Sequence, residues 1–526
     1  MVEQHAATDE TRPLLGDESS LRNPACSQQK KFMILTMCAI FVLAADIGAF
    51  VSLAPETAIY ERIICRNQGI LSDSVDTPLV GVPPANPNDP CKSESVQAEL
   101  ALIKGYKDMF EVLPSILLSL PYGVLSDHWG RKPVLLLGIV GIVLGEMWIR
   151  LVAFFPNVFP LRLIWMSGLF RIIGGGDQTL VTIALVMVAD VFSEEERTTA
   201  LFRLQSCAIV AEILATPLSA WLMQFDYWLP YTLGFFIIVL GCTPSLFLPD
   251  TLQEAKANKT RWLEAANAAS RETCDTVGID SNVADANVDA PAKRSVLQEF
   301  ADQAGEFVRS TQFIWRNISV LLIILSLLVA MLSRSSSIVL IQYVSKRFHW
   351  SIARSSLLIS IRGVFTLLNY LVIMPGVSFA ATQYLNMHGA RRDYNITLGS
   401  GILMVLGFGL IGLAPLPPFL ILGVITLSLS TAFGITARSL VTSLVAPDHV
   451  GTLYSAITIS QSIGILVAGP LFAYLFRTGL HLGGGWMGLP FVQAGLLSFI
   501  ATVAVACVRV PSPTCPAVEE EEHLLP

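Results

Sequence analysis

Gly123-Val124-Leu125-Ser126-Asp127-His128-Trp129-Gly130-Arg131-Lys132 lies where two long apolar stretches meet, residues 103–126 and 133–155. Each stretch exceeds the roughly 20 residues an α-helix needs to cross about 30 Å of hydrocarbon. Lipid offers no partner to backbone amides and carbonyls, so each stretch must satisfy them internally as a helix. The quoted residues therefore read as a short turn between two membrane helices. Gly130 permits the tight turn, Gly123 permits close helix contact, and Asp127 sets a carboxylate at a helix end. Arg131 and Lys132 hold the turn on the cytosolic face.

Working outward, the same pattern recurs along the chain. Spans are expected at 32–54, 103–126, 133–155, 163–190, 199–222, 229–249, 317–341, 353–375, 396–414, 418–442, 452–476 and 487–509. Composition agrees: 53% of the 526 residues are apolar and 14% are charged, against about 25% charged in soluble domains. The expected fold class is all-α integral membrane, with twelve transmembrane helices in two six-helix pseudo-repeat halves. Residues 1–31 form a polar tail with no cleavable leader, 32–249 the first half, 250–316 a hydrophilic linker, 317–509 the second half and 510–526 an acidic tail. An amphipathic helix is expected in the linker at Val296 to Val308. The net charge of −7 sits in loops and tails, and no basic stripe points to nucleic acid.

The halves resemble each other. Pro217 and Pro470 are separated by the same interval as Glu195 and Asp448, and Gly130-Arg131-Lys132 has a counterpart in Gly389-Ala390-Arg391-Arg392. Two related halves imply a binding site at their interface, near the bilayer midplane. Lys30, Lys31, Arg131, Lys132, Arg197, Arg203, Arg391 and Arg392 fall on one side, which makes it and both termini cytosolic. Lys346 and Arg347 count against this and are outvoted.

The quoted turn resembles the loop signature of the major facilitator superfamily, G-x-x-x-D-(R/K)-x-G-(R/K)-(R/K), with His128 in place of a basic residue. Arg171-Ile-Ile-Gly174-Gly175 is similar to the family's R-x-x-Q-G element, and Asp190 to Arg197 to its D-x-x-x-x-x-x-R turn. Thr216-Pro217 resembles the antiporters' Gly-Pro motif only faintly. Residues 340–350 resemble fungal members, and Ala54 to Cys65 resembles the branch containing the proton-coupled folate transporter. The resemblance implies a secondary transporter, not an enzyme, working by alternating access. It further implies that Gly123, Asp127, Gly130, Arg131 and Lys132 form a gating latch, and that Arg171 serves coupling or gating. Glu212 matches by position an acid thought to couple protons in the folate branch.

Ionisable side chains inside spans cost about 2.5–3.5 kcal/mol on insertion scales and mark function by default. Asp46, Asp177 and Glu212 fall near mid-depth, so they are the proton-coupling candidates, with Glu212 first. Carboxyls bonded within the bundle for packing are the bland alternative. Arg334, Arg362 and Arg171 are the substrate-binding candidates, since a guanidinium fork grips carboxylate or phosphate. Arg438 reads equally well as snorkelling from a helix end. Glu146 and Arg150 read as a self-neutralising pair one turn apart. Cys65 and Cys91 share the first hydrophilic loop; on an exterior or luminal face they pair as a disulfide, otherwise they are two free thiols. No metal site, cofactor or catalytic motif is expected, and a proton gradient is the expected energy source.

The expected function is efflux of a small metabolite or toxic compound. Proton symport importing an organic anion and a non-transporting nutrient sensor are the alternatives. Expected partners are the solute and the lipid bilayer, with no nucleic acid, and the chain is expected to be a monomer. Glu10 to Leu15 and Glu520 to Leu525 resemble dileucine signals for sorting adaptors. The expected location is the plasma membrane or a vacuolar or endolysosomal membrane.

Overall fold

The computed structural model describes residues 28–70, 89–192, 194–252, 312–384, 387, 389–445 and 450–508. The linker helix expected at Val296 to Val308, both dileucine-like tails and Asp448 lie outside them, and the Glu195 side chain is likewise undescribed. The described residues form helices and no strand. Ten helical segments are long and apolar enough to cross a bilayer: spans 1, 3, 4 and 6 to 12. Span 2 is a helix bent near Pro121, and the apolar part of span 5 is Ser206–Leu222. Every expected crossing is thus occupied by helix.

Span 1 runs much further than its apolar core, from Gln28 to Asn67, and span 2 begins at Glu94. Pro55 does not stop the first helix. Proline lacks the N–H that would bond the carbonyl four residues earlier, and Ser219 Oγ of span 5 donates to that Val51 carbonyl instead, at 2.7 Å. Span 4 is broken. Helix Ser167–Arg171 ends before Gly174, Gly175 and Gly176, at φ 86°, 79° and 76°, and a second helix covers Gly176–Val191. That left-handed backbone is open to glycine and costly for other residues. Gly174 also packs against the backbone of Gly138 in span 3, so the triplet serves both bend and close packing.

The second half shows similar irregularities. Span 8 contains a π-helical turn at Asn369–Ile373, and span 10 is interrupted between Pro417–Leu429 and Ala432–Thr442. One side chain links the two defects: Asn369 Nδ2 donates to the Leu429 carbonyl and to Thr431 Oγ1, both at 3.1 Å. Span 9 begins at Gly389, so Asp393, expected in a loop, is buried and takes a 2.5 Å bond from Ser439.

The halves meet along two pairs, span 2 with span 11 and span 5 with span 8. If the halves are repeats, span 2 corresponds to span 8 and span 5 to span 11, so one kind of contact is used twice. At the first interface Gly105 and Gly469 cross backbone to backbone.

Candidate substrate and ion site

At the second interface the two leading candidates find each other. Arg362 Nη2 of span 8 lies 2.7 Å from Glu212 Oε1 of span 5, and its Nε donates to the same oxygen at 2.9 Å. The pair is partly open, with side-chain exposures of 30% and 14%. Gly363 makes the approach possible, because a Cβ there would sit 2.9 Å from Ile213 Cγ1. One turn on, the Thr216 and Ser360 hydroxyls are hydrogen-bonded. Arg334 is exposed to solvent although protein surrounds it, so it projects into a water-accessible space inside the bundle; Tyr370, Arg362, Glu212 and Arg438 are its electrostatic neighbours. Arg438 donates to Gln461 Oε1 at 2.6 Å rather than snorkelling free. Two guanidiniums of the second half, Arg362 and Arg334, thus neighbour one carboxylate of the first, and Arg438 lies near Arg334.

The first half buries a larger set of charges. Lys107 bonds Glu56 at 3.0 Å, and Lys104 donates to Thr57 Oγ1 at 2.6 Å. Arg150 holds Glu146 at 2.6 Å while donating to Ser52 Oγ and the Tyr231 carbonyl. Glu146 also meets Arg171 at 3.0 Å, so the expected self-neutralising pair is in fact part of a network. Arg171 further holds Asp177 and approaches Glu111 at 3.9 Å, where Ser167 Oγ donates to Glu111 at 3.0 Å. Asp108 lies beside Lys104, Lys107 and Glu56. Arg171 is only 3% exposed. The structure places it among these carboxyls and not with Arg334 and Arg362, which corrects its reading as a substrate ligand. Asp177 is 52% exposed and paired with Arg171. Asp46 is half-buried near Cys207 and makes no ion pair among the described residues.

Sequence reading missed Glu56, Lys104, Lys107, Asp108 and Glu111. Glu56 lies just past the expected end of span 1, and Lys104, Lys107, Asp108 and Glu111 lie in the first turns of expected span 2, where charges read as helix-end residues. The available signal was the row Lys104, Lys107, Asp108, Glu111, whose three- and four-residue spacing sets it on one helix face.

Cys65 and Cys91 are joined by a disulfide, with Cα atoms 5.2 Å apart. Beside it Lys92 bonds Glu61 at 2.7 Å, and the Lys92 carbonyl accepts from Lys346 of the second half. Glu94 contacts His481, also of the second half. Ala54, Ala58 and Met223 pack against Ile341, Ile352 and Ile359 on the same side. These contacts join the halves on the disulfide face, so water reaches Arg334 and Arg362 from the face carrying the 2–3 turn.

At that turn Arg131 meets Asp127 at 2.5 Å and Asp190 at 3.4 Å, and Ser126 Oγ accepts from it at 2.7 Å. Asp250 of the span 6 terminus accepts from the Arg131 amide at 3.1 Å and abuts Gly130, whose φ is 111°. Asp250, counted with the linker, thus belongs to the first half. Gly123 has open space where a Cβ would stand, so it does not mediate close helix contact. Lys132 makes no ion pair among the described residues. Among those residues no group of His, Cys, Asp or Glu could hold a metal ion.

Comparison with known proteins agrees with this architecture. A family model described as "Major Facilitator Superfamily" matches residues 109–469. The chain is 34% identical over 92% of its length, and 94% of the relative's, to "MFS-type transporter avaK" of Aspergillus versicolor. It is 32% identical to "MFS efflux pump atnC" of Emericella nidulans, covering 97% of the chain and 95% of that protein. The proton-coupled folate transporter of Bos taurus is a more distant relative, at 22% over 79% of the chain and 80% of its own. A solved structure of the nucleoside transporter NupG shares the fold, with TM-score 0.57 at 12% identity, covering 90% of this chain and 99% of that one. With the family model covering most of the helical bundle, this chain belongs to the major facilitator superfamily.

Proposed function

We propose that this transporter exports a small organic anion, recognised by Arg334 and Arg362 and held off in the empty cavity by Glu212. The observation that carries the reading is the Arg362–Glu212 pair with Arg334 beside it. Glu212 acts as a tethered internal anion. A substrate carboxylate or sulfate that takes the Arg362 fork must displace it, and a fork-to-oxyanion contact is both directional and charge-assisted. Protonation of Glu212 also frees Arg362, which ties occupancy of the site to pH. The relative named an efflux pump supports the outward direction. The lysines and arginines of the 2–3 and 8–9 turns support a cytosolic location for that face and for both termini. The cavity then opens to the cytosol, where export begins. One chain supplies both sides of the cavity, so a monomer suffices. Location in the plasma membrane or a vacuolar membrane fits equally.

A second reading rests on the same pair. If the proton on Glu212 and the anion on Arg362 load together, the protein is a symporter that imports the anion. Proteoliposomes with an imposed pH gradient and a panel of labelled organic acids separate the two. Acid and protons moving in opposite directions support export, and moving together they support import. Binding without flux in either direction indicates a nutrient sensor. Full pH-driven transport in Glu212→Gln removes that carboxyl from coupling.

A further inference from the structure

The anion site carries more positive charge than it has partners for. Arg362 is paired with Glu212, and Arg334 beside it makes no ion pair or hydrogen bond through its side chain among the described residues. Arg438, the next cation along, bonds the neutral amide oxygen of Gln461 at 2.6 Å, and its buried Nε has no partner among those residues. Other carboxyls are engaged or lie elsewhere: Asp393 is held by Arg392 and Ser439, Asp177 by Arg171, and Asp46 sits beside Cys207. Three guanidiniums against one carboxylate leave two positive charges. A cation withdrawn from bulk water is costly until an anion meets it, and arginine cannot escape that cost by losing a proton.

We infer that the exported anion is a dianion, with one acidic group on Arg362 and Arg334 and a second, separated from it, on Arg438. Helix packing sets these two poles at different depths. Gly464 of span 11 crosses span 7 beside Leu328 and Leu332, where a Cβ would stand 3.1 Å from the Leu328 carbonyl oxygen. Gln461 lies about one turn from Gly464 towards the face carrying the 2–3 turn, whereas Arg334 lies beyond Leu332 towards the disulfide face. At the helical rise per residue, the Arg438–Gln461 pair is roughly 10 Å nearer the cavity mouth than Arg334. A single oxyanion on the inner pair therefore leaves Arg438 unserved.

Gln461 is the informative partner. A glutamate in its place would make the same hydrogen bond and neutralise Arg438; glutamine orients the guanidinium and leaves its charge for a ligand. A side chain already held in place also has less freedom to lose when the ligand arrives. Arg438 thus sets specificity: an acid with one charge gains the inner pole alone, and an acid with two gains both. This inference rests on the anion-export reading and names the substrate class of the same site.

Thermal stabilisation of the full-length, detergent-solubilised chain by glutarate, adipate, suberate and sebacate, each compared with its own monoamide, tests this. The monoamide keeps the length and one carboxylate and loses the other. At least one dicarboxylate is expected to reach half-maximal stabilisation at a concentration about tenfold or more below that of its monoamide, the worth of a hydrogen bond to a charged group. Arg438→Gln should abolish that preference. Gln461→Glu should abolish it too while keeping the size of the side chain and its bond to Arg438, so it decides the matter if Arg438→Gln fails to fold. Absence of a preference in every wild-type pair overturns the inference, as does a preference that survives either substitution. A dicarboxylate preference with no outward flux in proteoliposomes removes the export reading instead. Export of the monoamides as fast as of the dicarboxylates removes the dianion alone.

Discussion

The two halves treat intramembrane charge in opposite ways. In the first half, Glu146, Arg150, Arg171 and Asp177 are interlocked, and each cation bonds a carboxylate or hydroxyl of its own half. In the second, Arg334 and Arg362 face water-accessible space, and their carboxylate neighbour, Glu212, comes from across the interface. Asp393 does not alter this, being held at one end of span 9 by Arg392 and Ser439. Charge satisfied within a domain holds that domain together; charge satisfied only by the other domain, or by a ligand, is available to a transport cycle.

Four experiments break or sharpen this contrast. The largest effect is expected from Arg171→Ala, which removes a buried cation from among Glu111, Glu146 and Asp177 and should cost about 3–5 kcal/mol of stability, seen as a collapse in the melting temperature of the detergent-solubilised protein. Arg334→Ala, relieved of two like-charged neighbours, should melt no lower than wild type. Equal losses in the two variants would erase the distinction between the halves. Next comes Cys65→Ser, which opens a loop of 26-residue separation and should cost about 3 kcal/mol. Reduction of wild type should produce the same drop in melting temperature, and none in the variant.

Smaller effects belong to the second half. Arg362→Ala should weaken binding of an anionic substrate about 10- to 100-fold, the worth of a hydrogen bond to a charged group, measured as a shift in the ligand concentration giving half-maximal thermal stabilisation. Arg362→Lys keeps the charge but loses the fork, so about tenfold is expected. A lysine variant as weak as the alanine one would mean that geometry, not charge, dominates recognition.

Much of the fold was legible because the bilayer demands long apolar helices, and all the expected crossings carry helix. Legibility failed where charge enters the bundle in matched pairs. Glu56, just past the expected end of span 1, and Lys107, in the first turns of expected span 2, lie far apart in sequence and look like helix-end charges singly, yet they neutralise each other inside. Span 1 was therefore ended before Pro55 and span 2 begun too late. The break in span 10 has no glycine or proline at Ser430 and Thr431; it follows from Asn369 in another helix, a tertiary cause no local pattern carries. Glu212 and Arg362 were each visible as costly intramembrane charges. That they face each other depends on which surfaces of spans 5 and 8 meet, which one chain's periodicity does not reveal.

The crossing of Gly105 and Gly469 limits how the domains can move. A Cβ on Gly105 would stand 2.5 Å from the Gly469 carbonyl oxygen, so the two main chains touch with no side chain to act as a spacer. Contact this tight tolerates tilting about a point but resists lengthwise sliding, which would drive bulkier neighbours such as Ala473 into the opposing helix. The bundle therefore has a fulcrum set towards the disulfide face, and small rotations there are levered into wide displacements at the far ends of spans 2 and 11.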